Sequence, residues 1–293
     1  MKYEAIRTYS PEFSVAKMCK ALGLSAGSYY NWLRRLEQKE LKKLEEIKIL
    51  EDVRKLFNEH KQIYGYRKMQ RALNNVGLEL SEYKVRKIMR ENGLYPQYLD
   101  KYKVPRRKNP NGRFFENEVN QEFTPDDLNK VWAGDITYIK TVLGWVYLAA
   151  VMDLYNKEII GYAVSKSVGA ELVKRALSNA LVNTDGGGNG TIFHSDRGIQ
   201  YSSKSFQTML REHGMKGSMS RSGCPYDNAC LESFFSAAKR ESLLRKEFIS
   251  IEEVKREVFE YIELFYNRKR MHQSLGYMTP VEYRLARQEK KVA

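Results

Sequence analysis

Three acidic residues of this 293-residue chain lie where the pattern of apolar residues predicts regular structure. Asp135 lies in a strand-like run, Asp196 follows a second such run 61 positions later, and Glu232 lies in a helix-like segment after 35 intervening residues. Carboxylate oxygens are the preferred ligands of hard divalent cations such as Mg²⁺. Two such cations held side by side stabilise the attacking and leaving oxygens when a phosphodiester bond is broken. These residue types therefore predict metal-dependent phosphoryl transfer on nucleic acid.

The segment that carries Glu232 places other polar side chains around it. If residues 227–241 form one helix at about 100° per residue, Asn228 and Lys239 share the face of Glu232. Lys239 would then lie beside a metal-binding acid, where it could hold a DNA phosphate or a terminal base. Glu241 would point to the opposite face, which disfavours it as the third ligand. The competing interpretation makes Glu232 a solvated helix residue and Asp135 a charge on an edge strand.

The charge balance is strongly basic, with 50 Lys and Arg against 36 Asp and Glu and a net charge of +14. Basic surface attracts phosphate and releases its counterions, so we expect a polyanionic partner such as double-stranded DNA. No apolar run approaches the roughly 18 residues of a membrane span, and the first residues form no signal peptide. We therefore expect no membrane partner and a cytoplasmic location. The three cysteines are too irregularly spaced for a disulfide framework or a zinc site.

Helical patterns precede the acidic segments. Apolar residues spaced three and four apart predict a helix pair in residues 14–36, with Ser25 as the cap of its second helix. A second pair is predicted in residues 66–90, where Ser81 caps the later helix. Each pair is typical of a helix-turn-helix, and both docking on DNA and plain packing in a scaffold remain open.

Cationic side chains are concentrated in three places. The outer face of the helix after Ser81 carries four, a segment at residues 101–113 carries six and no acid, and three more end a helix predicted to begin after Ser250. Such cations fit contacts with the phosphate backbone of DNA. Together with Asn228 and Lys239, the residues expected to contact DNA are Lys84, Arg86, Lys87, Arg90, Arg106, Arg107, Lys108, Arg268, Lys269 and Arg270.

The order of predicted elements indicates an α/β fold with a mixed sheet and flanking helices, preceded by helical modules. Three strand-like runs follow one another after residue 130, and helix-like and strand-like segments then alternate. The predicted organisation is a helix-turn-helix segment (1–36), a helical connector with a second helix-turn-helix-like module (37–96), a basic linker (97–129), the α/β core (130–249) and a C-terminal helical tail (250–293).

Other polar patterns in the core do not indicate a second active site. His194, Ser195 and Asp196 cannot form a hydrolase triad, because three consecutive strand residues cannot all meet and no GxSxG turn is present. We expect His194 near the active site, with Ser195 facing away. Asp153 ends a strand-like run and is more easily explained as a turn residue than as a catalytic one. The glycine-rich residues 185–190 lack the order of a phosphate-binding loop.

Four segments match one family in both residue type and spacing. They are residues 132–137 (WAGDIT), residues 194–198 (HSDRG), residues 227–235 (DNACLESFF) followed by Lys239, and the tail residues 266–280. On these segments the chain resembles the downstream-frame (OrfB-type) transposases of bacterial insertion sequences, which are relatives of retroviral integrases. The similarity extends over nearly the whole chain.

The resemblance implies an RNase H-like, mixed five-stranded sheet with flanking helices. It implies a catalytic and metal-binding triad of Asp135, Asp196 and Glu232, with two Mg²⁺ or Mn²⁺ ions that activate water or a DNA 3′-hydroxyl. It further implies strand cleavage at an element end, joining of the ends and integration into target DNA. An upstream-frame (OrfA-type) partner, often supplied as a fusion, and a homo-oligomer on DNA near the bacterial nucleoid are also expected.

Two other functions remain open. A phage or retroelement integrase, or a nuclease, would use the same chemistry, although the His/Cys zinc module of retroviral integrases is missing from residues 1–95. A DNA-binding regulator with an inactive core would need only those residues, and the intact acids argue against it.

Overall fold

The computed structural model describes residues 1–97, 115–119, 125–184, 188–221 and 228–292. Three of the predicted DNA contacts, Arg106, Arg107 and Lys108, lie outside these described residues, as does part of the glycine-rich stretch.

Three helices pack together at the N-terminus. They are α1 (Lys2–Tyr9), α2 (Val15–Ala21) and the first turns of α3 (Ala26–Glu59). Their core contains Ile6, Cys19 and Tyr29. The Ser25 hydroxyl accepts a hydrogen bond from the Ser28 N–H, which confirms Ser25 as the cap of α3. Helix α1 was not predicted, because Ile6 is the one buried residue given for it and it shows no apolar stripe.

Helix α3 is a single helix of 34 residues. It passes without a break through residues 36 and 37, where the first two predicted segments meet. The second helix of the first pair and the charged connector are therefore one element.

The second helix pair is confirmed as α4 (Tyr66–Asn75) and α5 (Glu82–Glu91). Gly77 follows α4 in the left-handed region, with a φ of 82°, which ends the helix. The Ser81 hydroxyl accepts a hydrogen bond from the Lys84 N–H and caps α5.

The predicted strands form a mixed sheet. They are β1 (Val131–Thr141), β2 (Gly144–Asp153), β3 (Ile159–Ser165), β4 (Ile192–Ser195) and β5 (Lys216–Met219). Within the described residues the order of these five strands is β3-β2-β1-β4-β5. The β1–β2 and β2–β3 pairs are antiparallel, whereas β4 is parallel to both β1 and β5. This topology confirms the predicted RNase H-like α/β fold.

The remaining helices cover the sheet and form the tail. They are α6 (Ala170–Asn183), α7 (Lys204–Glu212), α8 (Ala229–Ala238), α9 (Ile251–Phe259) and α10 (Pro280–Val292). Helices α8 and α9 continue into π-helical turns at Lys239–Leu243 and Glu260–Tyr266. On β3, a Cβ added to Gly161 would lie 2.4 Å from the Ala176 carbonyl oxygen, so glycine permits the close packing of α6.

Two hydrophobic clusters cover opposite faces of the sheet. The first contains Trp132 and Val151 and is closed by α6 and α7. The second contains Ala133 and Ala150, residues of the opposite face, together with side chains of α8, α9, the tail, α4, α5 and the end of α3. The second helix pair and the tail therefore share one core with the sheet. No helix in the described part of the chain is both long and apolar enough to cross a bilayer.

Candidate active site

Asp135 and Asp196 lie at matching positions of neighbouring parallel strands. The last paired residues of β1 and β4 are Gly134 and Ser195, and each aspartate directly follows one of them. Neighbouring strands are about 4.8 Å apart, so the two acids emerge side by side at one level of the sheet. Asp135 is buried, whereas Asp196 is partly exposed just beyond the end of β4. The structure thus brings two of the three predicted ligands together.

Local backbone groups orient both carboxylates. Asp135 Oδ1 accepts a hydrogen bond from the Ile136 N–H at 2.8 Å, and Asp196 Oδ1 accepts one from the Gly198 N–H at 2.9 Å. A Cβ added to Gly198 would lie 2.8 Å from Asp196 Oδ1. Glycine at this position therefore lets the loop fold back onto the aspartate, which explains its place in the HSDRG segment.

Tyr201 also belongs to this site, although no sequence pattern marked it. Its ring is buried beside Phe193 and lies against the backbone of β1, where a Cβ on Gly134 would be 3.3 Å from Tyr201 Cε1. Burial raises the pKa of the Tyr201 hydroxyl well above its ordinary value, and the carboxylates of Asp135 and Asp196 raise it further. The hydroxyl is therefore neutral and lies within the electric field of both acids. Its place in a loop, outside any periodic pattern, hid it from sequence reasoning.

Helix α8 carries Glu232 alongside β1. Its residues Leu231, Phe234 and Phe235 are buried in the same cluster as Ala133 of β1, which seats the helix on the sheet. Glu232 itself is partly exposed.

The helix begins at Asn228, whose side chain is 5% exposed. Within the described residues neither the amide nitrogen nor the amide oxygen of Asn228 has a hydrogen-bond partner. A buried amide without partners is costly, so this side chain retains hydrogen bonds to make with a ligand.

The three predicted ligands do not meet as one cluster. Across the described ranges, no three His, Cys, Asp or Glu side chains stand close enough together to hold a metal ion. Asp135 and Asp196 are adjacent and offer the oxygen donors that a hard divalent cation prefers. Glu232 lies on the neighbouring helix and would have to approach them to complete the set.

The chain after α8 holds Arg270, one of the predicted DNA contacts, in a buried ion pair. A π-helical turn contains more residues than an α-helical turn, so the regular helix assumed through residue 241 does not hold there. Glu241 is buried, and Arg270 binds its carboxylate through Nη2–Oε1 and Nε–Oε2 contacts of 2.8 and 2.9 Å. The Tyr261 hydroxyl donates to Glu241 Oε2 at 2.7 Å. Burial lowers the pKa of Arg270, but its bonds to Glu241 outweigh this effect and raise it. Its guanidinium is committed to this buried pair, which disfavours the predicted contact of Arg270 with DNA, and that contact stays a prediction.

The other cations in the described ranges are more accessible. The exposed ones are Lys84, Arg86, Lys87, Arg90, Arg268 and Lys269, and Lys239 is partly buried at the start of the π-helical turn. Lys87 lies 4.0 Å from Glu91 on α5, a pair that solvent largely screens. Their contact with DNA stays a prediction.

His194 is hydrogen-bonded to serines in and next to the neighbouring strand β5. Its two ring nitrogens lie 2.9 Å from Ser218 Oγ and 3.1 Å from Ser220 Oγ, which ties β4 to β5. Ser195 Oγ donates to the Asp196 carbonyl oxygen at 3.1 Å. His194, Ser218 and Ser220 are all buried, so these His–Ser hydrogen bonds join the strands and do not present a nucleophile to a substrate.

Asp153 holds the turn after β2. Its carboxylate accepts hydrogen bonds from the Asn129 N–H at 2.7 Å and the Tyr155 N–H at 2.8 Å. Burial raises the pKa of Asp153 to about 6, and these two hydrogen bonds oppose the rise. The interpretation of Asp153 as a turn residue fits these contacts.

Four protein-family models match parts of the chain. Two described as integrase core domain match residues 126–225 and 213–280. One described as HTH-like domain matches residues 43–102, and one described as transposase matches residues 1–69. The integrase-core matches include the strands that carry both aspartates and the helix that carries Glu232.

Similar proteins extend over nearly the whole chain. It is 36% identical over 283 residues to the transposase InsF for insertion sequence IS3A of Escherichia coli (strain K12), with 97% of this chain and 98% of that protein covered. It is 35% identical over 267 residues to the insertion element IS600 uncharacterized 31 kDa protein of Shigella sonnei, covering 91% and 97%. Among solved structures, the HTLV-2 integrase catalytic core domain in complex with magnesium (trimeric form) is 15% identical with a TM-score of 0.41, covering 53% of this chain and 96% of that chain.

Proposed function

Because the chain belongs to the insertion-sequence transposases with an integrase core domain, we propose that it cuts and joins the DNA ends of its element with Asp135, Asp196 and Glu232. Membership of this family makes it an enzyme that breaks and re-forms polynucleotide chains. Its helix-turn-helix-type units make DNA the partner.

The acids would act as ligands of divalent cations. Asp135 and Asp196 would hold the first Mg²⁺ or Mn²⁺, and Glu232 would complete the set for two ions. When bound, the cations supply the positive charge that stabilises the attacking and leaving oxygens at phosphorus. The buried Tyr201 ring, which packs against the backbone of β1 at Gly134, would support the strand that carries Asp135.

One observation carries this proposal: Asp135 and Asp196 directly follow a paired position of two parallel strands. That pairing gives the site a rigid half, and α8 supplies the remaining half. Asn228 has a buried amide with unused hydrogen-bonding capacity four residues before Glu232, where a DNA end could engage it. We propose that seating of the DNA end draws Glu232 onto the aspartate pair.

The route of DNA follows from the exposed cations. Helix α5 presents a basic face, and Lys239, Arg268 and Lys269 lie on segments near the end of α8 and in the tail. These side chains would hold the phosphate backbone, so binding should weaken steeply with salt. The basic residues 101–113 would add further phosphate contacts.

The proposal extends to partners and domains. An upstream-frame protein, often supplied as a fusion, would contribute further recognition of the element ends, and several copies of the chain would assemble on them. Residues 1–36 and 37–96 would bind DNA, residues 97–129 would link them to the core at 130–249, and the tail would extend from 250 to 293. Cutting that requires the upstream-frame protein would support the partner, and concentration-dependent sizes of the DNA complex would support the oligomer.

The direct test is strand cleavage on DNA that carries the terminal sequences of the element. The protein is incubated with this duplex and Mg²⁺, with and without the upstream-frame protein, and the cut strand is mapped on a sequencing gel. Asp135→Asn and Glu232→Gln should abolish cutting and joining while DNA binding is retained. Glu212→Gln, which removes an exposed acid at the end of α7, is the matched control and should cut like the wild type.

The outcomes separate the candidate functions. Full activity in Asp135→Asn or Glu232→Gln would refute the assigned acids. Binding without cutting under every metal and partner condition would favour a regulator with an inactive core. Cutting without joining would favour a nuclease.

A further inference from the structure

The second helix pair is fixed to the catalytic core through a shared hydrophobic interior. Val53, Met69 and Val85 from α3, α4 and α5 lie in the same buried cluster as Ala133 of β1 and Phe265 of the tail. Each of the helical residues is completely or almost completely buried. Close packing of this kind leaves little freedom for one part to move against another. The basic helix α5 therefore belongs to the same rigid body as Asp135.

Polar contacts clamp the two parts where α3 ends. Arg245, a short distance after the π-helical turn that follows α8, donates to the Lys61 and Gln97 carbonyl oxygens, both at 2.9 Å. Those two carbonyls come from opposite ends of the helix pair. The Gln97 N–H also donates to the Gln62 carbonyl at 3.0 Å, which closes the pair on itself. One guanidinium thus ties both ends of the α4–α5 unit to the segment behind the catalytic helix.

Tyr64 provides a second clamp to the tail. It is fully buried; its hydroxyl donates to the Lys269 carbonyl and accepts from the Met271 N–H, both at 2.8 Å. The backbone on either side of Arg270 is thereby held, and Arg270 binds Glu241 in the turn after α8. Burial raises the pKa of the Tyr64 hydroxyl to about 12, so it keeps its proton and both bonds at neutral pH.

The backbone between these clamps is strained. Lys61 and Gln62 are consecutive non-glycine residues in the left-handed region, with φ values of 54° and 58°. Such a conformation costs free energy and persists where the surroundings over-determine it. Here the Lys61 ammonium lies 5.3 Å from the centre of the Phe265 ring, and its carbonyl is held by Arg245. We call Lys61, Gln62, Tyr64, Gln97 and Arg245 the junction.

The geometry points to the junction as a spacer that fixes how far along the DNA the cut falls from the base pairs held by α5. When a duplex contacts both the basic face of α5 and the aspartate pair, the distance between these two sites sets the number of base pairs between the α5 contact and the cut. The shared interior holds that distance approximately, and the polar contacts of the junction fix it at the end of α3. Arg245 and Tyr64 are then positioning residues, which set where the chain cuts without touching DNA. This inference rests on the proposed function, since it needs cleavage at Asp135 and DNA contact at α5.

The test maps cut positions on one end-containing duplex for the wild type, Arg245→Ala, Arg245→Lys and Tyr64→Phe. The wild type should cut at one position. Arg245→Ala loses two hydrogen bonds across the junction, which should raise the fraction of cuts at neighbouring positions roughly tenfold. Tyr64→Phe keeps the ring but loses both bonds, and should scatter the cuts similarly. Arg245→Lys can reach only one of the two carbonyls and should give an intermediate pattern.

Binding and folding controls separate positioning from general damage. Each variant should bind the duplex within about twofold of the wild type by fluorescence anisotropy, because no phosphate contact is lost. A purely structural role would lower the amount of cleavage without moving its position. Should Arg245→Ala fail to fold, Tyr64→Phe and Arg245→Lys carry the comparison.

Two negative results have different meanings. Cutting by the wild type together with unchanged cut positions in the folded variants overturns the spacer. Absence of cutting by the wild type, both with and without the upstream-frame protein, overturns the proposed function on which the spacer depends.

Discussion

Replacing Arg270 with methionine should destabilise the protein strongly, because it leaves a carboxylate buried without its cation. Glu241 is 5% exposed, and Arg270 approaches its two oxygens at 2.8 and 2.9 Å. Among the described residues, the hydrogen-bond donor that remains to this carboxylate after the substitution is the Tyr261 hydroxyl, at 2.7 Å from Oε2. Removal of one partner from a buried ion pair costs about 3–5 kcal/mol. Against a typical total stability of about 5–15 kcal/mol, this is a large loss.

The same geometry predicts that Glu241→Gln changes stability in opposite directions in the wild type and in Arg270→Met. In the wild type, Glu241→Gln removes the partner of Arg270 and should destabilise the protein. In the Arg270→Met background, Glu241→Gln instead removes the uncompensated charge, while the amide oxygen still accepts from Tyr261. It should therefore restore about 1–3 kcal/mol, because a neutral buried amide costs less than an isolated carboxylate.

The assay is the free energy of unfolding from urea titrations of the four proteins of this cycle, with Arg268→Met as the matched control. Arg268 is exposed two residues earlier and should change stability by less than about 0.5 kcal/mol. A loss below about 1 kcal/mol in Arg270→Met, or equal losses from Glu241→Gln in both backgrounds, would show that Arg270 does not compensate the buried Glu241 carboxylate.

Three further changes test separate features. Gly134→Ala places a Cβ 2.5 Å from Phe193 Cζ and should lower the free energy of unfolding in urea by about 1–3 kcal/mol. The control is Gly169→Ala, which should cost clearly less because a Cβ there meets nothing within 4 Å. Burial raises the pKa of Asp153 to about 6, so the folded state takes up a proton that the unfolded state releases. The free energy of unfolding should therefore fall as pH rises from about 4 to 6. Urea unfolding of Asp153→Asn across this range should lack this pH-dependent contribution. Arg90→Ala should reduce the slope of log binding constant against log salt by about 0.9, as measured by anisotropy, and an unchanged slope would remove Arg90 from the DNA interface.

The local parts of the fold were predictable from sequence because local rules determine them. Apolar runs located the strands, and Ser25 and Ser81 marked the starts of α3 and α5 through side-chain capping. The adjacency of Asp135 and Asp196 followed from placing each of them in or directly after a strand of one mixed sheet. These features depend on residues close together in sequence.

Nonlocal pairings could not be inferred in the same way. Arg270 looked like one of three exposed cations, and its partner Glu241 lies 29 positions earlier, in a π-helical turn that ordinary helix spacing does not describe. Tyr201 lies in a loop, where periodicity gives no information about which way a side chain points. The placement of Glu232 relative to the aspartates depends on how α8 packs and not on its own sequence.

The shared interior of the second helix pair and the tail also affects how the protein is made. The ribosome adds about 5–20 residues per second, so α4 and α5 emerge roughly ten to thirty seconds before the tail segments that cover them. During that interval the apolar faces containing Leu73 and Met89 lack the covering side chains of Val254 and Phe265. Apolar surface exposed for this long makes the nascent chain more prone to aggregation until the tail has been made. A copy terminated before residue 254 would lack the tail side chains that complete the shared core, so its α4–α5 unit should be less stable than in the intact protein.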